Sequence, residues 1–468
     1  MTTTPVRPVA RRHPGQVLGG RARLDSAVRT ATGSALWLSL LLVTYWWVAD
    51  GGLQDLLHLT DGFTSVGRIS GLVASVLLLA QVVLMARIPV LERAFGQDRL
   101  ARTHRLVGFT SFNLMLLHVV TISLGYAGVQ VTALPRTVWN LTVDYPGMLL
   151  AVAGTACLVM VVVTSVKAAR RRLRYESWHL MHLYAYLGVG LALPHQLWTG
   201  QQFTDSTAKT VFWWSAWALA AAAVLVWRLG VPLAVNLRHR LRVAAVIDEG
   251  GGMRSVVVTG RRLDALRAEA GQFFTWRFLD GAGWTRGNPY SLSAAPDGRT
   301  LRFTVQDAGD GSRRTHALRP GTRVMVEGPY GRLTSRPRTR PRLAFIGAGV
   351  GITPLRALAE GMAYGPGDAI YVERFTDTPL FAHEIDVLAT RRGLQVLRIS
   401  GRRRAPDSWL GPEVGTASDL AALRYWIPDV AERDVYVCGP EAWTDLVRAT
   451  LTAAGLPDER LHLETFAW

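Results

Sequence analysis

Cysteine is nearly absent from this 468-residue chain, which has only Cys157 and Cys438. Two thiols, one of them inside an apolar run, make no disulfide framework. Acidic residues are also short, 35 Asp and Glu against 52 Lys and Arg, for a formal net charge of +17. Such a surplus suits nucleic acid, anionic lipid or an anionic cofactor as partner. No interleaved basic and aromatic pattern of a nucleic-acid-binding module accompanies it, so nucleic acid is not an expected partner. An EF-hand loop and a proline-rich tail are missing as well, which leaves no sign of calcium or assembly control. Long apolar runs are lacking only from the second half: the hydrophobic residues, 49% of the total, crowd into the first. A membrane half joined to a soluble half follows, with several domains expected at this length.

Residues 1–30 are rich in Arg, Pro, Gly and Thr and read as a disordered tail. A cleaved signal peptide is not expected, because the first apolar run starts late and no small-residue cleavage site follows it. Six apolar stretches follow, near 31–49, 69–88, 104–125, 146–166, 178–199 and 209–230. Each approaches the roughly 20 residues needed to cross a bilayer core. Basic residues crowd the N-terminal tail and the connections after the second, fourth and sixth stretches; the other three connections hold only Arg68, Arg136 and Lys209 beside several aspartates. Basic loops favour the cytoplasm, so both termini are expected inside, in a multi-pass protein of the cell membrane.

The stretch 103–120 reads THRLVGFTSFNLMLLHVV, with His104 and His118 at its ends and no titratable group between them except Arg105. Fourteen helical residues rise roughly 21 Å and stop about 40° short of four turns, so both imidazoles share nearly one face at two depths. A second run, WHLMHLYAYLGVGLALPHQLW, carries His179, His182 and His195. Titratable groups in a bilayer interior are expensive and point to function. Both runs go from inside to outside, which pairs His104 with His182 and His118 with His195 around two stacked haems. His179 is the spare at the inner level. Thirteen residues from His182 to His195 leave the second ring roughly 140° off the face of an ideal helix, which Pro194 or the glycines above it must correct. Two axial imidazoles per iron suit electron transfer.

From about residue 240 the pattern changes to short β-rich runs bounded by Gly, Asp and Pro, which fits a small antiparallel barrel. After the Arg/Pro linker SRPRTRPR at 335–342, strands alternate with helices, as in a parallel doubly wound sheet. The expected domains are a six-helix transmembrane bundle at 31–235, a barrel at 236–338 and an α/β nucleotide domain at 339–468. Three turns carry the soluble chemistry. RGNPYSLSAAP at 286–296 presents Tyr290 and the Ser291 hydroxyl to an aromatic ring, and GDGSRRTHAL sets Gly309, Gly311 and Ser312 at a helix start suited to pyrophosphate. FIGAGVGITPL brings Gly347, Gly349 and Gly351 from a strand into a helix at Thr353-Pro354, where glycines admit phosphates to the backbone. The next strand ends in Glu373-Arg374: an acid suits a free ribose 2′-hydroxyl and an arginine a 2′-phosphate, and only one of the two neighbours can face the ligand. VYVCGPEAW sets Cys438, Gly439 and Pro440 at a strand's C-terminal edge, where such sheets bind ligands.

In this order the motifs resemble those of the ferric reductase and NADPH oxidase superfamily, over about 31–468. The resemblance implies a six-helix domain with two b-type haems, ligated by His104, His118, His182 and His195, joined to a ferredoxin–NADP reductase-like module. It implies FAD at Asn288, Pro289, Tyr290 and Ser291, with Gly309, Gly311 and Ser312 on the pyrophosphate. The pyridine nucleotide, NADPH by the choice of Arg374 over Glu373, falls to Gly347, Gly349, Gly351, Thr353, Pro354, Arg374, Cys438, Gly439 and Pro440. Trp468, with Phe466 as understudy, matches the terminal aromatic that covers the flavin ring. Asn288 stands where the family usually has Arg or His, a charge that Arg286 is expected to supply. Ile122 stands where animal NADPH oxidases carry a further histidine, so ferric iron is the acceptor expected first and oxygen, giving superoxide, second. A membrane-anchored redox sensor or scaffold without steady turnover is the reading of another class.

Overall fold

The computed structural model describes residues 20–172, 175–281, 283–307 and 310–466. The chain divides into two compact units, one of Ala27–Gly230 and one built on Val231–Trp468.

The first unit is helical: α1 (Gly20–Ala49), α2 (Leu59–Met85), α3 (Gln97–Tyr126), α4 (Met148–Ser165), α5 (Tyr175–Trp198) and α6 (Thr207–Ala223). Among the described residues five helices are long and apolar enough to cross a membrane: Arg23–Ala49, Leu59–Met85, Gln97–Tyr126, Met148–Ser165 and Thr207–His239. The sixth expected span is α5, a helix of 24 residues with Pro194 inside it. His179, His182, His195 and Gln196 lower its hydropathy, so composition alone does not make it a span. The tail expected to end near residue 30 gives way to helix α1 from Gly20; residues 1–19 lie outside the described residues. That helix is continuous because nothing from Arg21 to Ala49 but one glycine interrupts helix-compatible residues.

Helix α2 lies against α3, and α4 against α5. Glycines allow the approach. A Cβ on Gly154 would stand 2.7 Å from the Gly188 carbonyl oxygen, and one on Gly188 2.9 Å from the Gly154 oxygen. Small residues at such crossings are what close helix packing in a membrane requires.

The second unit begins with six strands, β1 (Arg242–Gly250), β2 (Met253–Thr259), β3 (Phe273–Phe278), β4 (Asn288–Ser291), β5 (Thr300–Gln306) and β6 (Val324–Tyr330). They form two antiparallel three-stranded sheets, β1-β2-β5 and β4-β3-β6. Among the described residues, the isolated bridges Arg242↔Arg323 and Leu292↔Phe303 link the sheets, β1 to the start of β6 and the end of β4 to β5. β4 has four residues and pairs with β3 along its whole length. Val256, Phe274, Trp276, Phe303 and Val326 fill the core between the sheets. Helix α7 (Asp310–His316) follows β5.

The rest is a parallel sheet ordered β11-β10-β7-β8-β9, from β7 (Leu343–Ala348), β8 (Ala369–Arg374), β9 (Gln395–Ile399), β10 (Asp434–Pro440) and β11 (Leu461–Phe466). Apolar clusters lie on both of its faces, under α8 (Ile352–Gly361), α9 (Ala382–Arg392), α10 (Asp419–Trp426) and α11 (Glu441–Ala453). β7 reads LAFIGA and is buried at all six positions, the continuous apolar run of a doubly covered strand.

Candidate functional site

A cavity of about 1940 Å³ runs through the helical unit, lined by His104, His118, His179, His182 and His195. Small-molecule sites usually measure roughly 300–1,000 Å³, so this one has room for two sizeable groups. His104 on α3 and His182 on α5 have ring centres 6.0 Å apart, at 68° to each other. Histidine–metal bonds of roughly 2 Å on each side of one ion give a ring separation near that value. His118 and His195 both line this cavity. His104 and His182 are therefore brought together, and His195 follows on a helix α5 that runs on through Pro194.

Two of the four rings are held from behind. His118 Nδ1 sits 2.7 Å from the Gly67 carbonyl oxygen, and His182 Nδ1 3.3 Å from Ser165 Oγ, which also accepts from Trp178 Nε1 at 3.2 Å. The Nδ1 atoms of His104 and His195 are buried without a hydrogen-bond partner. A Nδ1–H aimed at a carbonyl or hydroxyl leaves Nε2 unprotonated for a metal. These orphaned, oriented imidazoles around a large apolar cavity fit a pair of bis-histidine haems. Sequence reading passed over the supporting residues. Gly67 and Gly71 are four apart on α2, a small-residue spacing that was there to be found; a Cβ on Gly71 would stand 2.6 Å from His118 Nδ1. Gly147, at φ +82°, packs against the backbone of Pro194 and His195.

In the second unit Tyr290 stacks one ring face on Phe303 at 5.2 Å and places its hydroxyl 3.4 Å from Thr315 Oγ1. Burial pushes the Tyr290 phenol up, with the Thr315 contact opposing. Ser291 is 4% exposed and its Oγ is buried without a hydrogen-bond partner, which suits a polar edge of a bound ring. Asn288 spends its amide on the Trp276 carbonyl at 3.5 Å, so it supplies no charge. Arg286 lies in the turn before β4, engaged within the protein. Gly311 and Ser312 fall in helix α7 as expected; Gly309 lies outside the described residues.

The turn after β7 approaches β10 as closely as a backbone can. A Cβ on Gly351 would meet the Cys438 carbonyl oxygen at 2.3 Å, and Gly349 has φ +56°. Gly347, Gly349, Gly351, Cys438, Gly439 and Pro440 thus gather at one edge of the sheet. Thr353 Oγ1 donates to the Val350 carbonyl at 2.8 Å and holds the turn, with Pro354 buried behind it. The Cys438 thiol is fully buried, and burial, with the Glu464 carboxylate, pushes its pKa up. Glu373, 1% exposed, pairs with Arg398 at 2.9 Å; burial raises its pKa and Arg398 opposes. Arg374 turns the other way, donating to the Gly401 carbonyl at 2.9 Å, its pKa lowered by burial and by Arg403 nearby. Trp468 lies outside the described residues, and Phe466 ends β11.

With this geometry in place, residues 70–193 match the family model described as ferric reductase like transmembrane component. The ferredoxin reductase component of 3-ketosteroid-9-alpha-monooxygenase from Mycolicibacterium smegmatis is 32% identical over 244 residues, 48% of this chain and 65% of that protein. Ferredoxin–NADP reductase B from Sorangium cellulosum is 28% identical, over 38% of this chain and 77% of the relative. A Burkholderia flavohemoprotein is also 28% identical, over 43% and 52%. The chain thus spans less than two thirds of the length of several curated relatives it matches. Among solved structures, the flavohem-like FAD/NAD binding domain of nitric oxide dioxygenase from Vibrio cholerae has TM-score 0.42 and 26% identity, covering 48% of this chain and 98% of that one. The chain joins a ferric reductase-like transmembrane component to a ferredoxin reductase-like module.

Proposed function

We propose that this protein is an NAD(P)H-driven transmembrane oxidoreductase that carries electrons from cytoplasmic NADPH to an acceptor on the outer side, ferric iron first. The observation that carries this reading is the pair of histidine pairs in one membrane cavity, in the same chain as a reductase module. When bound, FAD and two b-type haems would supply the redox chemistry, accepting two electrons as hydride and releasing them singly. The protein's part is placement and electrostatics. His104 with His182 and His118 with His195 hold the two irons at two depths. Tyr290 and Ser291 seat the flavin ring, while the glycine turn and Arg374 seat the nucleotide. Arg374 has a half-exposed guanidinium beside a second arginine, Arg403, so a 2′-phosphate is favoured over a free hydroxyl. Ile122, packed against Gly67 in the cavity wall, stands where animal NADPH oxidases carry a further histidine, which puts iron ahead of oxygen in this reading.

The reading places the basic connections, the N-terminal tail and the reductase unit in the cytoplasm, and α5 as the sixth span. An absorbance spectrum of the purified protein, oxidised and then dithionite-reduced, counts haem and flavin together; two haems and one flavin per chain are expected. With NADPH supplied, ferrous-chelator colour insensitive to superoxide dismutase is the expected product signal. Dismutase-sensitive reduction of cytochrome c would instead assign oxygen as the acceptor, and cofactor occupancy without steady NADPH oxidation would assign a sensor.

A further inference from the structure

Four charged side chains meet where the antiparallel part of the second unit touches the parallel part. Arg302, on β5, donates from both terminal nitrogens to Glu384, at 2.7 Å to Oε1 and 2.8 Å to Oε2. Arg356, on α8, brings its Nε within 2.7 Å of the same Glu384 Oε2 and its Nη1 within 2.5 Å of Glu360 Oε2. Glu360 also accepts from the Ala295 amide at 2.7 Å. Both arginines donate to one backbone oxygen, that of Ser293, at 3.1 and 3.2 Å. The four side chains are 13, 28, 4 and 17% exposed for Arg302, Glu384, Arg356 and Glu360. Arg302 also lies 4.8 Å over the ring of Phe381, a buried residue held at φ +59°. Left-handed backbone at a bulky residue persists only where its surroundings hold it.

The three elements tied together are those that carry the two ligands. Ser293 is two residues beyond Ser291 of the flavin turn, Arg356 five beyond Gly351 of the glycine turn, and Phe381 and Glu384 open the helix reached from Arg374 by the loop after β8. An apolar cluster would join these elements at no less stability, because buried ion pairs seldom outperform well-packed hydrophobic residues of like volume. What the charges add is fixed geometry: a bidentate arginine fork accepts a carboxylate in one plane and register.

We infer that Glu384, clamped between Arg302 and Arg356, is a positioning residue that sets how the nicotinamide meets the flavin; this rests on the proposed NADPH-to-flavin reading. In that transfer a C–H bond of the dihydronicotinamide breaks, the hydrogen and both bonding electrons pass to the oxidised flavin, and NADP⁺ remains. None of the four side chains takes the hydrogen. They hold donor and acceptor at the contact distance, and an error of about 1 Å there costs roughly 100-fold in rate.

The test uses the full chain loaded with FAD, with Glu384→Gln and the apolar pair Arg302→Met/Glu384→Leu. Anaerobic bleaching of the flavin by NADPH is followed by stopped flow, alongside FAD stoichiometry, melting temperature and the deuterium isotope effect from 4-deuterated NADPH. In both variants the limiting bleaching rate is expected to fall roughly 10- to 100-fold. The half-saturating NADPH concentration, the FAD content and the melting temperature of the apolar pair should stay near native, with a full isotope effect showing that hydride transfer has become limiting. A native bleaching rate in the apolar pair overturns the inference while leaving the proposed function standing. A loss of FAD or of melting temperature that accounts for the rate also overturns it, in favour of plain structural support. Unaltered protein that holds FAD yet is not bleached by NADPH overturns the underlying reading and this one with it.

Discussion

Glu373 and Arg374 end the same strand and face opposite ways, and the proposed preference for a 2′-phosphate rests on that difference. Glu373 is consumed by Arg398, whereas Arg374 stands beside Arg403 with only a carbonyl for partner. Strand alternation made it legible that the two point opposite ways; that Glu373 is the one already paired depended on Arg398, a partner 25 residues away. Hydrogen bonds to a charged group are worth about 1.5–3 kcal/mol. Arg374→Ala is therefore expected to lower kcat/KM for NADPH about 10- to 100-fold and leave NADH nearly unchanged. Parallel loss with both nucleotides would remove Arg374 from phosphate recognition. Glu384 gives a second residue-scale expectation. Burial raises its pKa, but Arg302 and Arg356 prevail and hold the carboxyl below its ordinary value. The unfolded chain therefore takes up the proton first as pH falls, so stability rises with pH through this window. The contribution is intact at neutral pH and disappears as pH drops below the ordinary carboxylate range through the folded value. Release of flavin fluorescence on acidification should show a shallower pH dependence in Glu384→Gln than in the unaltered chain.

At the scale of elements, helix α3 was readable because fourteen residues return nearly to the same face. Helix α5 was not, since thirteen residues predict a ring well off that face, yet His195 lines the same cavity as His118. The missing information lies in another segment: Gly147, before α4, sets its backbone against Pro194 and His195. A Cβ there would stand 2.7 Å from the His195 nitrogen, and φ +82° is strained for any L side chain. Gly147→Ala is expected to lose or weaken one haem, seen as a drop from two to near one haem per flavin with the remaining spectrum intact; full haem content would show that the close packing has no part in ligation. The antiparallel sheets carry a similar lesson. The strands were legible from their alternation, but their order within the sheets was not, because pairing between segments far apart in the chain leaves no mark in alternation.

For the whole molecule, the apolar first half and the reductase motifs of the second were legible because each rests on local pattern: run length, loop charge and glycine spacing. The contacts that hold the histidine rings from behind were not, because a carbonyl such as that of Gly67 leaves no mark in composition. The proposed function needs both units, and that dependence can be separated experimentally. His118 lies at the end of α3 expected to be the outer one, and its loss should disable delivery to the far side without touching the nucleotide turn in Val231–Trp468. In vesicles with NADPH outside and the reductase unit facing outward, His118→Ala is expected to keep flavin bleaching by NADPH at the native rate, lose one haem's absorbance, and fail to reduce a ferric chelate trapped in the lumen. If both haem signals survived, the assignment of His118 as a ligand would be wrong. If lumenal reduction survived with one haem gone, the two-level path would be wrong, because one iron would then serve the whole thickness of a membrane core of roughly 30 Å.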